Sequence, residues 1–206
     1  MRTAIKILSL LLVLCRSAQA QGTMEAVNTG VIGGGVYGSG GIVGYLDNET
    51  VGWTFSPSGN ILVSSLGWLG SVNPSSGATV GLWSEDGTLL SSATIDSNEQ
   101  IINGSAYEAI SPIILLENET YVVAASIPGQ VFTFLGFPNA PTTNSINYVN
   151  TAVSPESSGF IFPTTTSTDE EFIPAATFLF QPVPEPSEFA LGALGALLLG
   201  FRRWRR

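Results

Sequence analysis

From residue 50 onward, apolar runs of four to nine residues alternate with short polar breaks. The runs cover 51–55, 61–69, 79–84, 89–95, 113–116, 121–127, 131–137, 146–150 and 176–180, and are rich in Val, Ile, Phe, Thr and Trp. Residues branched at Cβ and aromatic residues fit a pleated, half-buried surface, so each run predicts a strand. The breaks carry turn chemistry: Glu85-Asp86-Gly87 predicts a hairpin, Asn73-Pro74-Ser75-Ser76-Gly77 a loop, and Pro128-Gly129 another reversal. No stretch shows the 3.6-residue period of an amphipathic helix. Many short strands at regular spacing predict an all-β fold, a β-sandwich, with a jelly roll as the alternative arrangement.

Two other apolar runs lie at the chain ends. The first is Ile7-Leu8-Ser9-Leu10-Leu11-Leu12-Val13-Leu14-Cys15, preceded by Arg2 and Lys6 and followed by Ala18-Gln19-Ala20. A basic start, a short apolar stretch and a small-residue A-x-A site predict a cleaved secretory signal peptide. Ala18 and Ala20 are then the signal peptidase determinants, the mature chain starts at Gln21, and the Sec machinery is the export partner. The second run is charge-free from Phe189 to Phe201 and closes on Arg202-Arg203-Trp204-Arg205-Arg206. Thirteen helical residues reach about 20 Å, short of a bilayer core of about 30 Å. Snorkelling arginines and local thinning reduce the gap. The arginines are expected on the cytoplasmic side, which places the preceding domain outside.

The expected organisation is therefore 1–20 signal peptide, 21–49 Gly-rich lead-in or first strands, 50–181 β-sandwich, and 182–206 a C-terminal sorting segment. Residues 30–44 hold eight glycines, and Gly33-Gly34-Gly35-Val36-Tyr37-Gly38 matches G-x-G-x-x-G. No strong strand precedes that match and no helix pattern follows, so it does not indicate a dinucleotide site.

Charge sharpens the picture. All seven basic residues lie at or before Arg16 or at or after Arg202, whereas all sixteen acidic residues lie between Glu25 and Glu188. The middle is thus formally −16, with sixteen acids and no base, inside a chain whose net is −9. Such a surface repels nucleic acid and anionic lipid. It also limits chemistry. The chain has no His, and its single Cys is Cys15 in the N-terminal run. A Ser-His-Asp triad, a His or Cys metal site, a lysine Schiff base and an arginine phosphate clamp all lack their parts. Carboxylate chemistry survives, with Glu85 and Asp86, Glu117 and Glu119, and Glu170 and Glu171 as candidate pairs for glycoside hydrolysis. Each pair falls in an expected turn or loop. Hard-cation ligands are present too: Asp47 with Glu49, and Asp169 with Glu170, are the candidates for a structural calcium, although neither stretch forms a full calcium loop. Trp53, Trp68, Trp83, Tyr107, Tyr121 and Tyr148 are the aromatics available to a carbohydrate platform. The setting of Trp53 and Trp83 in apolar strands predicts core packing instead.

Residues 183–206, with Val183-Pro184-Glu185-Pro186-Ser187, the apolar run and the arginine cluster in that order, closely resemble the PEP-CTERM sorting signal. The resemblance implies recognition by an exosortase, a membrane-embedded cysteine transpeptidase, with processing at or near Pro184-Glu185-Pro186. It also implies a Gram-negative source that makes exopolysaccharide, and passage from the inner membrane to the cell surface or matrix. A second resemblance covers about 50–135. Val80-Gly81-Leu82-Trp83, the 87–95 segment, Tyr107-Glu108-Ala109-Ile110-Ser111-Pro112 and Tyr121-Val122-Val123-Ala124 look like an uncharacterised β-sandwich family of bacterial secreted proteins. It implies a fold and no activity. The functional expectation is a non-enzymatic exported surface or matrix protein without a cofactor, associated with exopolysaccharide or biofilm. A carbohydrate-binding module or adhesin is the alternative, and a secreted carboxylate-dependent glycosidase the third reading.

Overall fold

The computed structural model describes residues 22–27, 42–45, 49–69, 77–96, 98–99, 101–103, 105–126, 132–135, 142–155, 158–167 and 176–184. The chain divides into two compact units, one spanning Thr23–Pro182 and the other combining Met1–Gly22 with Val183–Arg206. Of the second unit only Gly22, Val183 and Pro184 belong to the described residues, so the signal-peptide and C-terminal helices expected from the sequence lie outside them.

Among the described residues every element is a strand. The strands are β1 (Met24–Glu25), β2 (Ile42–Tyr45), β3 (Thr50–Pro57), β4 (Ile61–Leu69), β5 (Ala78–Ser84), β6 (Leu89–Ile95), β7 (Ile101–Ile102), β8 (Ser105–Leu115), β9 (Tyr121–Ser126), β10 (Phe132–Leu135), β11 (Ile146–Val153), β12 (Thr165–Ser167) and β13 (Ala176–Pro182). The all-β expectation holds. One sheet has the order β1-β13-β4-β8-β7, a second β12-β11-β3-β9-β5-β6, and β10 pairs β2 separately. All pairings are antiparallel. The chain changes sheet at β3 to β4, β4 to β5, β6 to β7 and β8, and β8 to β9, while β5 and β6 form a hairpin within one sheet.

The two large sheets share one apolar core. Val51, Trp53 and Phe55 of β3 and Val80 and Leu82 of β5 meet Leu66 of β4 and Phe178 and Phe180 of β13. Trp53 and Phe178 stack across the core at 6.1 Å and 14°, and Trp53 Nε1 donates to the Ala176 carbonyl of the facing sheet at 2.7 Å. The hydrogen bond satisfies a polar group that would otherwise be costly to bury.

β3 and β9 are buried on both faces rather than on alternate residues, because the six-stranded sheet is covered on its outer side as well. Its outer face carries a second cluster: Trp83, Val122, Ala124 and Ala152 lie under Phe160 and Phe162. The segment carrying those two phenylalanines is tied down at Thr50, whose Oγ1 donates to the Gly159 carbonyl and accepts from Ile161 N.

Strand extents differ from the sequence reading mainly at β8. Only 113–116 was expected there, yet the strand starts at Ser105 and includes Pro112. β7 covers only Ile101↔Ala106 and Ile102↔Ser105, so from Tyr107 onward β8 is an edge. Pro112 has no partner on β4 either, because the register shifts between Val63↔Ile113 and Ser65↔Ala109, and a proline is tolerated at such an irregularity on an edge. The 163–171 stretch, whose Pro163-Thr164-Thr165-Thr166-Ser167-Thr168 run reads in sequence as an exposed loop or tip, contains β12 on the edge beside β11, with Thr165 and Thr166 exposed.

Candidate functional site

The 183–187 stretch, expected from the sequence to be a sorting motif, begins where the sheet ends. β13 is an interior strand, paired with β4 from Ala176↔Trp68 to Pro182↔Ile61 and with β1 at Phe180 and Leu179. Val183, half-buried, and Pro184, exposed, follow directly. Glu185, Pro186, Ser187, Arg202, Arg203, Arg205 and Arg206 lie outside the described residues, as do Ala18 and Ala20. Pro184 fixes its own φ and biases the residue before it toward extended backbone, as Pro186 does for Glu185. The strand therefore leads into a stretch with extended preference, the conformation that proteolytic sites accept.

Both ends of the β unit emerge together. β1 runs antiparallel to β13, and Gln181 Nε2 donates to Thr23 Oγ1 at 3.1 Å. The neighbouring turns belong to the same end. Glu117 N donates to Asn60 Oδ1, Asn118 N to the Pro57 carbonyl, and Leu116 N to Tyr121 Oη. Glu117 and Glu119 are exposed on that turn.

The other sequence candidates separate. Asp86 closes the β5–β6 turn: its Oδ1 accepts from Ser84 Oγ at 2.6 Å and Thr88 N at 3.1 Å. The Ser84 hydroxyl first, and Thr88 after it, hold its carboxyl below the ordinary aspartate value. Gly87 completes the turn at φ +84°, a value that favours glycine. Asp86 thus shapes the turn, and Glu85 beside it is exposed. Glu170 and Glu171 lie outside the described residues.

The sequence did not pair Glu99 with Glu108, but the structure brings their carboxyls near one another. Burial, then the charges of Glu108 and Asp96, raise the Glu99 carboxyl above its ordinary value. No short-range signal links them, because 99 precedes β7 and 108 lies in β8.

For calcium, Glu49 is buried before β3, while Asp47, Asp169 and Glu170 lie outside the described residues. Among the described residues no group of three or more His, Cys, Asp or Glu could hold a metal ion. For a sugar platform, Trp53, Trp68 and Trp83 are all buried, as the strand setting predicted for Trp53 and Trp83, and Tyr121 is buried too. Trp83 packs on the outer face rather than in the shared core. Tyr107 and Tyr148 are half-buried.

Tyr107 lies across Gly67 of β4; a Cβ there would come within 2.5 Å of its ring. Its hydroxyl reaches the buried hydroxyls of Ser105 and Thr177 without forming a hydrogen bond of good geometry. Burial, and then the Glu25 charge, push the phenol up to about 12, against an ordinary 10.0. A folded-state value above the unfolded one means the native protein holds that proton longer. The stabilisation is complete below pH 10 and disappears as pH climbs toward 12, where the unfolded chain binds fewer protons. Two pH units correspond to at most about 2.7 kcal/mol. Denaturant titrations at pH 9 and 12 should show this fall, and Tyr107→Phe should flatten it. An unchanged slope in that variant would assign the pH dependence to other groups.

Comparison with known protein families and with curated proteins finds no match to the chain.

Proposed function

We propose that this chain is an exported, non-enzymatic protein of the cell surface or extracellular matrix, delivered by an N-terminal signal peptide. Its 183–206 segment is a PEP-CTERM-type signal processed by an exosortase. The observation that carries the reading is the order of three unlike elements at one end: Val183-Pro184-Glu185-Pro186, the charge-free 189–201 run, and four arginines within 202–206. The fold is compatible with it. The last strand ends at Pro182, so cutting within 183–187 removes the tail and leaves β13 whole.

The β unit itself reads as a jelly-roll β-sandwich. In support, β1-β13-β4-β8 and β3-β9-β5-β6 are four-stranded sets wired by repeated crossings between sheets. β7, β11 and β12 extend their edges. Such a unit, without a single basic residue between 17 and 201, stays soluble and self-repelling in a hydrated polysaccharide matrix. The exopolysaccharide association rests on the PEP-CTERM resemblance.

The test is intact mass and fractionation of the protein from its native host, as wild type and with Pro184→Ala and Pro186→Ala together. The wild type should begin at Gln21, end within 183–187 and leave the inner membrane. The double variant should keep Arg206 and stay there. A wild-type protein that retains Arg206 in the inner membrane would make the C-terminus an ordinary anchor and sink the sorting reading.

A further inference from the structure

At the end where the chain leaves the β unit, the register aligns one outward-facing row across four strands. Ile114 of β8 lies opposite Leu62 of β4, Leu62 lies opposite Gln181 of β13, and Gln181 holds Thr23 ahead of β1. Neighbouring strands are about 4.8 Å apart, so Ile114 sits about 10 Å from the strand by which the chain departs. Ile114 is 57% exposed and Leu116 53%, the highest values among the exposed large apolar residues described. A lone exposed leucine is ordinary. These two are separated by one residue, Ile114 has the half-buried Leu62 beside it, and Leu116 is fixed by its N–H to Tyr121 Oη.

The length of chain beyond this point limits what the row can meet. Six residues, 183–188, separate Pro182 from the charge-free run that starts at Phe189. Fully extended, they span about 20 Å. With 189–201 in a bilayer, the Thr23 and Pro182 end of the β unit is held near the headgroups. The β7 end is not, because the eleven residues from Ser105 to Leu115 carry it about 30 Å away.

We propose that Ile114 and Leu116 are a lipid-contact site, seating the β8–β9 turn in the extracytoplasmic headgroup layer while the tail remains in the membrane. The inference rests on reading 189–201 as a membrane helix. The fitting surface is zwitterionic. Ile114 and Leu116 enter the interface, while Glu117 and Glu119 stay at headgroup depth and face the ammonium groups of phosphatidylethanolamine. Anionic lipid repels the same carboxylates. The contact presents 183–187 at the bilayer surface, where a membrane-embedded enzyme works. Two side chains are too little to hold the protein without its tail, so processing also ends the contact.

The test uses the chain from Gln21 to Arg206, which has no cysteine of its own, bound to vesicles of phosphatidylcholine and phosphatidylethanolamine. An environment-sensitive fluorophore is placed at Leu116→Cys or, at the opposite end, at Ile102→Cys. The label at 116 should shift to the blue and be quenched several-fold by nitroxide-bearing lipid; the label at 102 should do neither. Added anionic lipid should reduce the quenching at 116. A label at Glu119→Cys should be quenched as well, and should lose that quenching when Ile114→Ser and Leu116→Ser are introduced. If the chain floats with the vesicles but 116 behaves like 102, the lipid contact is wrong and the membrane helix stands. If the chain does not float with the vesicles, the membrane-helix reading fails and takes the contact with it.

Discussion

Replacing Trp53 with Ala should cost the β unit about 3 to 5 kcal/mol, the range for emptying a buried aromatic site. Trp53 is fully buried and touches both sheets: it packs on Phe55 at 5.2 Å within its own strand and stacks on Phe178 of β13. Phe178 in turn lies 4.8 Å from Phe55 and 5.9 Å from Phe180. The cavity would open at the centre of this group, with little freedom to collapse. Trp53→Phe separates the second contribution. It keeps most of the ring contact but removes the donor to Ala176, leaving a buried carbonyl unpaired at about 1 to 3 kcal/mol. Urea denaturation followed by far-ultraviolet circular dichroism measures both. A loss below about 1 kcal/mol for Trp53→Ala would mean that this residue does not join the sheets.

The second large effect runs against residue propensity. Alanine in place of glycine inside a strand ordinarily gains stability, since the unfolded chain loses freedom, by about 0.4 to 1 kcal/mol. Gly52→Ala should instead lose about 3 kcal/mol, the top of the overpacking range. A Cβ on Gly52 would run into the Val123 carbonyl oxygen and the Cα and Cβ of Ala124, all on neighbouring β9. Two of these three obstacles are backbone atoms of a central strand, which cannot rotate aside. Gly59→Ala is the control: a Cβ there meets nothing within 4 Å, and it should be neutral or slightly stabilising. Equal outcomes for the two variants, by the same denaturation assay, would refute the close approach of β3 to β9.

Most strands were legible because their apolar runs end in turn residues with a definite mechanism. Glu85-Asp86-Gly87 is a clear case: Gly87 supplies the positive φ, and Asp86 caps Ser84 and Thr88. What escaped is equally physical. β1 and β7 are two residues long, too short for any period to register. A proline within a run disfavours a strand, and Pro112 fits in β8 because it falls at a register shift on an edge part of the strand. Trp83 was readable as buried, but not as buried on the outer face, because its cover of Phe160 and Phe162 arrives from nearly eighty residues away.

For the candidate site, the linear sequence carries the motif at 183–187, the apolar run and the arginine tail, because those signals are contiguous. The absence of His, Lys and Arg from the middle is likewise a property of composition, and no folding can supply the missing groups. The all-β class follows from local patterning, since a period of two residues along a strand needs no long-range knowledge. The tertiary structure alone decided which strands adjoin, that Thr23 meets Gln181 across 158 residues, and that Ile114 and Leu62 lie in the row beside the departing chain. It also decided that the carboxyls of Glu99 and Glu108 come near one another and that Asp86 closes the β5–β6 turn. These are pairings between distant segments. Backbone hydrogen bonding permits many registers, and the packing of Trp53, Phe178 and their neighbours into one core selects among them.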